Sequence, residues 1–416
     1  MGVENNIPEG WVETTLGDIS SRKQYGYTES ASNEKVGPKF LRITDIQNDF
    51  ISWNKVPYCP ISDEDFTKYK LQVGDVVIAR TGNSTGATAT IKDKINAVFA
   101  SYLIRFQINK QIADYNFIDF LVRSKLWYGF VKSVKSGSAQ GGANANDFAL
   151  FPINLPLIPE QKSIAKVLTA FDNKIELLQA QNKTLENMAQ TIFKEWFGKY
   201  QIGDELPEGW RVGKLGDIAN LKSGYAFKSK DFVEESSKNA LKIKDLKGDG
   251  KVSLNAVSCV SNDVTKLSRV QYFRLKEGDI VLAMSGNTTG KIGVIPPHSN
   301  EVYLNQRVGK FFMIKQDLNS FLYSFLMSGN YEEKILSMGY GSAQPNISPS
   351  QIENIDIIYP NEEKLVSFLN ISNPIFNKVL DNNNQIQSLT KTRDTLLPKL
   401  MSGQVRVNNI KQTANA

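Results

Sequence analysis

Two long stretches of the chain place apolar side chains at steps that alternate between four and three. In the first, Ile164, Leu168, Phe171, Ile175, Leu178, Asn182, Leu185, Ala189, Ile192 and Trp196 fall on one line, with charged and polar residues between them. The second contains Ile375, Val379, Asn382, Ile386, Leu389, Arg393, Leu396 and Leu400 at the same steps. Such spacing predicts helices with a heptad seam, the kind that pairs two helices by interlocking side chains. Asn373-Pro374 reads as an N-cap followed by the first helical position, so a short helix is expected before the second seam.

Elsewhere the pattern is that of strands. Asp75-Val76-Val77-Ile78-Ala79, entered through Gly74, is an apolar, β-branched run of strand length. Residues 86–91 and 97–108 predict further strands, and 117–131 has helical spacing. The order returns later in the chain: strands near 279–284, 291–295 and 308–314, then a helix near 318–336. Strands first and helices afterwards predict an α+β class with a mixed sheet, not alternating β-α-β units.

The recurrence is literal. Ile7-Pro8-Glu9-Gly10-Trp11 and Leu16-Gly17-Asp18-Ile19 come back as Leu206-Pro207-Glu208-Gly209-Trp210 and Leu215-Gly216-Asp217-Ile218. Gly74-Asp75-Val76-Val77 matches Gly278-Asp279-Ile280-Val281, Gly82-Asn83-Ser84-Thr85-Gly86 matches Gly286-Asn287-Thr288-Thr289-Gly290, and Gly137-Ser138-Ala139-Gln140 matches Gly341-Ser342-Ala343-Gln344. A period of about half the chain means two copies of one domain. Between the matching blocks, 20–72 and 219–276 share little beyond scattered apolar positions and one cysteine each. A kept frame around altered segments predicts one scaffold presenting two different binding surfaces. The expected division is 1–155, a long helix over 156–200, a second copy over 201–358, a second helical region over 359–405, and a disordered tail over 406–416.

Each seam holds one asparagine near its middle. If the helices run antiparallel with Ile164 facing Leu400, equal steps inward bring Asn182 opposite Asn382. A buried Asn pair fixes register at some cost in stability; two asparagines at a solvated seam edge is the competing reading. A helix of about 25 residues extends roughly 37 Å, close to the 34–36 Å or so of one B-DNA turn.

Composition narrows the function classes. The 416 residues are 41% hydrophobic and 22% charged, enough for real cores, and the net charge of +6 is compatible with a nucleic-acid partner. No segment has the apolar length of a membrane span, and the N-terminus has neither the basic nor the apolar part of a signal peptide, so the expected location is the cytoplasm. A single histidine, His298, and two separated cysteines, Cys59 and Cys259, offer no metal-ligand cluster and read as a loop residue and free thiols. Gly286-Asn287-Thr288-Thr289-Gly290-Lys291 is one residue short of a P-loop and has Ile292 where magnesium would need a hydroxyl. It is better read as a strand-joining turn whose Asn and Thr face a nucleic-acid backbone. Asn373-Pro374-Ile375-Phe376 approaches an adenine-methyltransferase motif but lacks the strand and the glycine-rich cofactor segment that such a site needs. No nucleophile–base pair or carboxylate cluster emerges, so no catalytic residue is expected.

Taken in order, and all but the last in duplicate, Pro-Glu-Gly-Trp, Leu-Gly-Asp-Ile, Gly-Asp-(Ile/Val)-Val, Gly-Asn-X-Thr-Gly, Gly-Ser-Ala-Gln and a Glu-Gln-Lys entry to a long helix resemble the specificity subunit of type I restriction-modification systems. The second copy matches better, since Gln140 is followed by Gly141-Gly142-Ala143-Asn144 where Gln344 is followed by Pro345-Asn346-Ile347-Ser348. The resemblance implies two pseudo-symmetric target-recognition domains held apart by an antiparallel helical pair, each reading one half of an asymmetric two-part site in double-stranded DNA. It also implies two methyltransferase subunits docked on the helices, with restriction and translocase subunits beyond them. S-adenosylmethionine, ATP and magnesium would belong to those partners and not to this chain.

With base readout expected from side chains in the major groove, the candidate DNA-contacting residues are Lys23, Arg80, Asn83, Thr85 and Gln140 in the first copy. In the second they are Lys222, Lys228, Asn287, Thr288, Lys291 and Gln344. Leu177, Met188 and Phe193 lie off the first seam and are candidate docking positions. Two other readings of the residues compete: a stand-alone pseudo-dimeric DNA-binding regulator, and a protein–protein scaffold without nucleic acid.

Overall fold

The computed structural model describes residues 7–47, 50–136, 142–248, 250–315, 317–328, 331, 334–335 and 346–407. The chain divides into two compact units, one formed by residues 1–173 with 390–416 and the other by 174–389. Each long helix therefore contributes to both units, and the chain past residue 390 returns to the first. Mixed sheets and helices in each unit give the α+β class expected.

The first unit is built on a four-stranded antiparallel sheet in the order Ser20–Tyr25, Leu103–Ile108, Asp75–Ala79, Thr88–Thr90. Lys39–Leu41 runs parallel to Ala97–Phe99, and Val12–Thr15 pairs antiparallel with Pro152–Leu155. All five side chains of Asp75–Ala79 are buried, as an uninterrupted β-branched run in a central strand requires. The apolar stretch 97–108 is two strands, broken where Leu103 N bonds back to Ala100 O. The helix expected over 117–131 is likewise two, Tyr115–Val122 and Lys125–Ser136, because Ser124 interrupts the run and receives the amide of Trp127.

In the second unit the same pairings recur. Ala219–Ser223, Val308–Met313, Ile280–Ala283 and Ile292–Val294 follow in that order, extended by Gly250–Val252 and Leu246–Gly248 into six strands. Lys238–Leu241 is parallel to Glu301–Leu304, and Arg211–Lys214 pairs with Asp356–Tyr359. The Pro-marked exit of each copy is thus a strand that closes onto the start of that copy.

The Gly-Asp blocks have a structural role. Asp75 Oδ2 accepts the Gln72 amide at 2.9 Å and lies 3.4 Å from Arg105 Nη1 on the neighbouring strand; Asp279 Oδ2 accepts the Lys276 amide at 2.7 Å and lies 2.6 Å from Lys310 Nζ. Burial pushes the Asp75 carboxyl up and the Arg105 guanidinium down, so each member of that pair is desolvated at a cost their attraction must offset.

The long helices are Ile158–Phe197 and Glu362–Met401, of 40 residues each. At 1.5 Å per residue each spans about 60 Å, longer than the seam alone would give. Pro374 does not begin a helix; it lies inside the second one, which forgoes a single backbone hydrogen bond there. Asn373 does not cap this helix: its Oδ1 accepts the Ser320 hydroxyl at 2.5 Å, and the Ser320 and Ser372 hydroxyl oxygens lie 2.7 Å apart. Leu365 and Phe368 are buried with Phe193 and Phe197 in the second unit's core, and this packing carries the helix on through the proline-containing turn. Within the first unit, Ile164, Ala165 and Leu168 share a core with Leu400, Met401, Val407 and Trp11. Arg406 binds Glu160 through two nitrogens, at 2.5 and 2.7 Å, and Trp11 Nε1 donates to the same carboxylate at 3.2 Å. Residues 406 and 407 are therefore packed, where the sequence placed the start of a disordered tail; 408–416 lie outside the described residues. None of the helices among the described residues is long and apolar enough to cross a membrane.

Candidate nucleic-acid interface

In the first unit Ser20–Tyr25 is an edge strand on which Ser21, Arg22, Lys23 and Tyr25 are exposed. Lys23 Nζ donates to Asn146 Oδ1 at 2.7 Å, and Tyr25 OH accepts the Ala145 amide at 3.2 Å. Arg80, at the end of the central strand, stacks its guanidinium 5.1 Å from the Tyr25 ring centre and donates Nε–H to Ser101 O at 3.2 Å. The fold thus brings Lys23, Tyr25, Arg80 and Asn146 to one surface. A groove of about 510 Å³ beside it is lined by Asp18, Ser21, Arg22, Lys23 and Asn146.

Asn83 and Asn287 stand exposed on equivalent short 3-10 turns, Gly82–Ser84 and Gly286–Thr288. Each turn joins two antiparallel strands, and its opening glycine has positive φ, +68° at Gly82 and +76° at Gly286. The threonines that close the turns face inward: Thr85 Oγ1 donates to Gly82 O at 2.8 Å and Thr289 Oγ1 to Gly286 O at 2.6 Å. Thr85 is 6% exposed, so its hydroxyl serves the turn and not a ligand. Thr288 is turned the same way, donating to Ile243 O at 3.1 Å. Gln140 and Gln344 lie outside the described residues. The described chain that follows each glutamine is anchored beside the turn, by Ala143 N to Arg80 O at 3.2 Å and Ile347 N to Met284 O at 2.9 Å.

The second unit's candidates do not form one cluster. Lys222, on the edge strand, bonds Tyr272 OH at 3.0 Å, and Tyr272 stacks on Phe312 with centroids 5.8 Å apart. Lys228 is exposed where Asp231 accepts its backbone amide at 2.7 Å. Asn287, Thr288 and Lys291 belong to the turn between the third and fourth strands, away from that edge.

Around this turn the structure gathers lysines that the sequence pattern did not single out: Lys242, Lys244, Lys247 and Lys251. They flank a 3-10 turn, Ile243–Asp245, and the hairpin that follows it. A signal for them was present. Leu41-Arg42-Ile43-Thr44-Asp45-Ile46 and Leu241-Lys242-Ile243-Lys244-Asp245-Leu246 are the same motif, inside segments that otherwise share little. In both, the aspartate accepts the amide three residues earlier at 2.8 Å. Burial pushes the Asp245 carboxyl up, and burial together with Lys244 pushes the Lys242 ammonium down.

On the helices, Asn382 Nδ2 donates to Asn182 Oδ1 at 2.8 Å, and Asn182 Nδ2 donates to Asn383 Oδ1 at 2.8 Å. The facing pair is buried, not a solvated edge: Asn182 is 8% exposed and Asn382 0%. Leu177 and Met188 are 53% and 49% exposed on the outer face. Phe193 is not available for docking, because it packs at 5.1 to 5.8 Å against Phe197, Phe321 and Phe368 of its own unit. His298 Nδ1 lies 3.0 Å from Pro296 O in a loop, and no group of three metal-ligating side chains occurs among the described residues.

Residues 8–187 and 207–390 match the family model of the type I restriction modification DNA specificity domain, once per copy. The chain belongs to that family. Among its relatives is the type I restriction enzyme MjaVIII specificity subunit of Methanocaldococcus jannaschii, 29% identical over 350 residues that cover 81% of this chain and 80% of that one. The HindI specificity subunit of Haemophilus influenzae is 22% identical over 95% of this chain and 99% of its own. The fold resembles the crystal structure of the type I restriction-modification S subunit from M. genitalium, with TM-score 0.59, 16% identity and coverage of 96% and 98% of the two chains. As a specificity subunit the chain is a DNA sequence-recognition protein, and its two matched regions are its two recognition repeats.

Proposed function

We propose that this chain reads a two-part asymmetric DNA site, one half-site per unit, and is itself non-catalytic. The observation that carries this reading is the duplication: the same strand pairings occur in both units, while the surface side chains differ. One scaffold with two unlike faces reads two unlike sequences. In the first unit Lys23, Arg80 and Asn83 are the contacts, together with Gln140; in the second they are Lys222, Lys228, Asn287 and Lys291, together with Gln344. Arginine suits guanine and Asn or Gln suits adenine in the major groove, while lysines hold phosphates.

The paired helices set the gap between half-sites, with the Asn182–Asn382 contact fixing their register. Exposed Leu177 and Met188 would dock two methyltransferase subunits, a role a stand-alone regulator would not need. S-adenosylmethionine, ATP and magnesium act in those and in the restriction subunits, in the cytoplasm. Inserting one heptad into each helix, between the Asn pair and the first unit, tests the mechanism. Seven residues add about 10 Å, or roughly three base pairs at about 3.4 Å each. The methylated motif should keep both half-sites and gain that spacing; an unchanged gap would refute the ruler.

A further inference from the structure

We propose that the second unit holds its half-site through a set of lysine–phosphate contacts that the first unit lacks, so that the two halves of the site are gripped by unlike means. This rests on the reading that each unit binds one half-site.

The structure converges Lys244, Lys247, Lys251 and Lys291 around the exposed Asn287 turn. Thr288 is bonded to Ile243 O, and a Cβ at Gly248 would lie 3.8 Å from Lys291 Cδ, so the turn and the hairpin form one surface. Lys244, Lys247 and Lys251 are exposed and Lys291 half-buried. None of the four has an ion-pair partner among the described residues, and Lys247 Nζ is bonded to Lys244 O at 2.9 Å. The carboxylate nearest in the motif, Asp245, is buried and already receives the Lys242 amide. Asp249 lies outside the described residues. Lys242 is set back from the others, with its ammonium 3.8 Å from the Phe232 ring centre. Among the described residues Asp245 is the carboxylate that acts on Lys244 and Lys247, a single buried charge against several. Like charges gathered in excess are unfavourable unless a polyanion balances them, and an ammonium is a point charge suited to phosphate, not a fork suited to a base.

The first unit repeats the backbone of this feature without its charge. In the aligned sequence Thr44, Gln47 and Ile51 take the places of Lys244, Lys247 and Lys251, and Ala87 that of Lys291. Its remaining cation, Arg42, is closed on Asp45, with Nε–Oδ2 and Nη2–Oδ1 at 3.0 and 2.9 Å. Duplex DNA is the partner that fits, since its phosphates present a dense row of negative charge to such a surface.

The test uses the full chain in complex with its modification subunits and a labelled duplex carrying the mapped site, titrated over a range of salt. Each lost phosphate contact lowers the slope of log K against log salt by about 0.9, so replacing all four lysines by Gln should lower it by roughly three to four. The methylated motif should be unchanged, replacement by Arg should restore the slope, and Arg42→Gln should alter it by less than one contact. An unchanged slope, an altered half-site, or loss of the modification subunits with the slope intact would each overturn the proposal. Failure of the underlying reading is seen separately, as the absence of any two-part motif with the unaltered chain.

Discussion

Asn382 donates its side-chain amide to Asn182 Oδ1 at 2.8 Å, pairing two buried polar groups near the centre of a mostly apolar helical seam. Leucine at both positions would bury more apolar surface, so the pair is retained at a cost in stability that its register role explains. Asn182→Ala or Asn382→Ala should each destabilise the chain by about 1–3 kcal/mol, because the surviving amide stays buried without its partner. Replacing both by Leu should raise the melting temperature above that of either single variant. Calorimetry of the three variants decides it: a single Ala variant as stable as the parent would remove the pair's significance.

Asp75 and Arg105 predict a specific pH signature. Burial raises the Asp75 carboxyl above 3.8, so the folded chain keeps that proton to higher pH than the unfolded chain does. In that window the native state binds more protons, and this group's contribution to stability falls as pH rises from 3.8 through its folded value. Glu301 has the opposite sign. Hydrogen bonds from Lys238, then Tyr303, lower it below 4.5, so its contribution is present above 4.5 and is lost as pH falls through its folded value. Denaturant titrations from pH 3 upward should show Asp75→Asn and Glu301→Gln tilting the stability curve in opposite directions; tilts of the same sign would contradict these assignments.

Removing only one member of the buried pair should be severe. Arg105→Ala would leave Asp75 and the carbonyls of Lys68 and Lys70 without their donor, costing about 3–5 kcal/mol. The exposed Arg211–Asp217 pair of the second unit offers the contrast. Arg211→Ala should cost no more than about 1 kcal/mol. Chemical denaturation measures both, and similar losses would refute the distinction.

The two cysteines should react unequally. Burial, then Glu29, pushes the Cys59 thiol up to about 11, while Cys259 is half-buried with its sulfur near Asn239 Nδ2 and Ser236 O. Since thiolate is the reactive form, a maleimide should label Cys259 first in the folded chain. Mass spectrometry of the labelled peptides would show the reverse order if the account is wrong.

Much of this architecture was legible because helical periodicity and exact repetition are strong signals. The alternating steps located both seams, and counting inward from Ile164 and Leu400 brought Asn182 opposite Asn382, where the structure has them. Local capping chemistry misled at Asn373-Pro374: tertiary packing of Leu365 and Phe368 outweighs one missing backbone bond, so the helix continues. Phe193 lies off the seam line yet is buried, because a helix that serves a coiled coil in its middle also packs into a domain core at its end. The lysine surface was obscured by divergence. Only the aspartate and the apolar frame of its turn recur, and the charges that matter are those that differ.

The most direct measurement is a single-molecule methylation map of DNA from cells expressing this chain with its modification subunit, against cells lacking the chain. The account predicts a two-part motif with a constant gap, present only when the chain is present. Methylation that is identical in the two strains, or a motif without a gap, would contradict it.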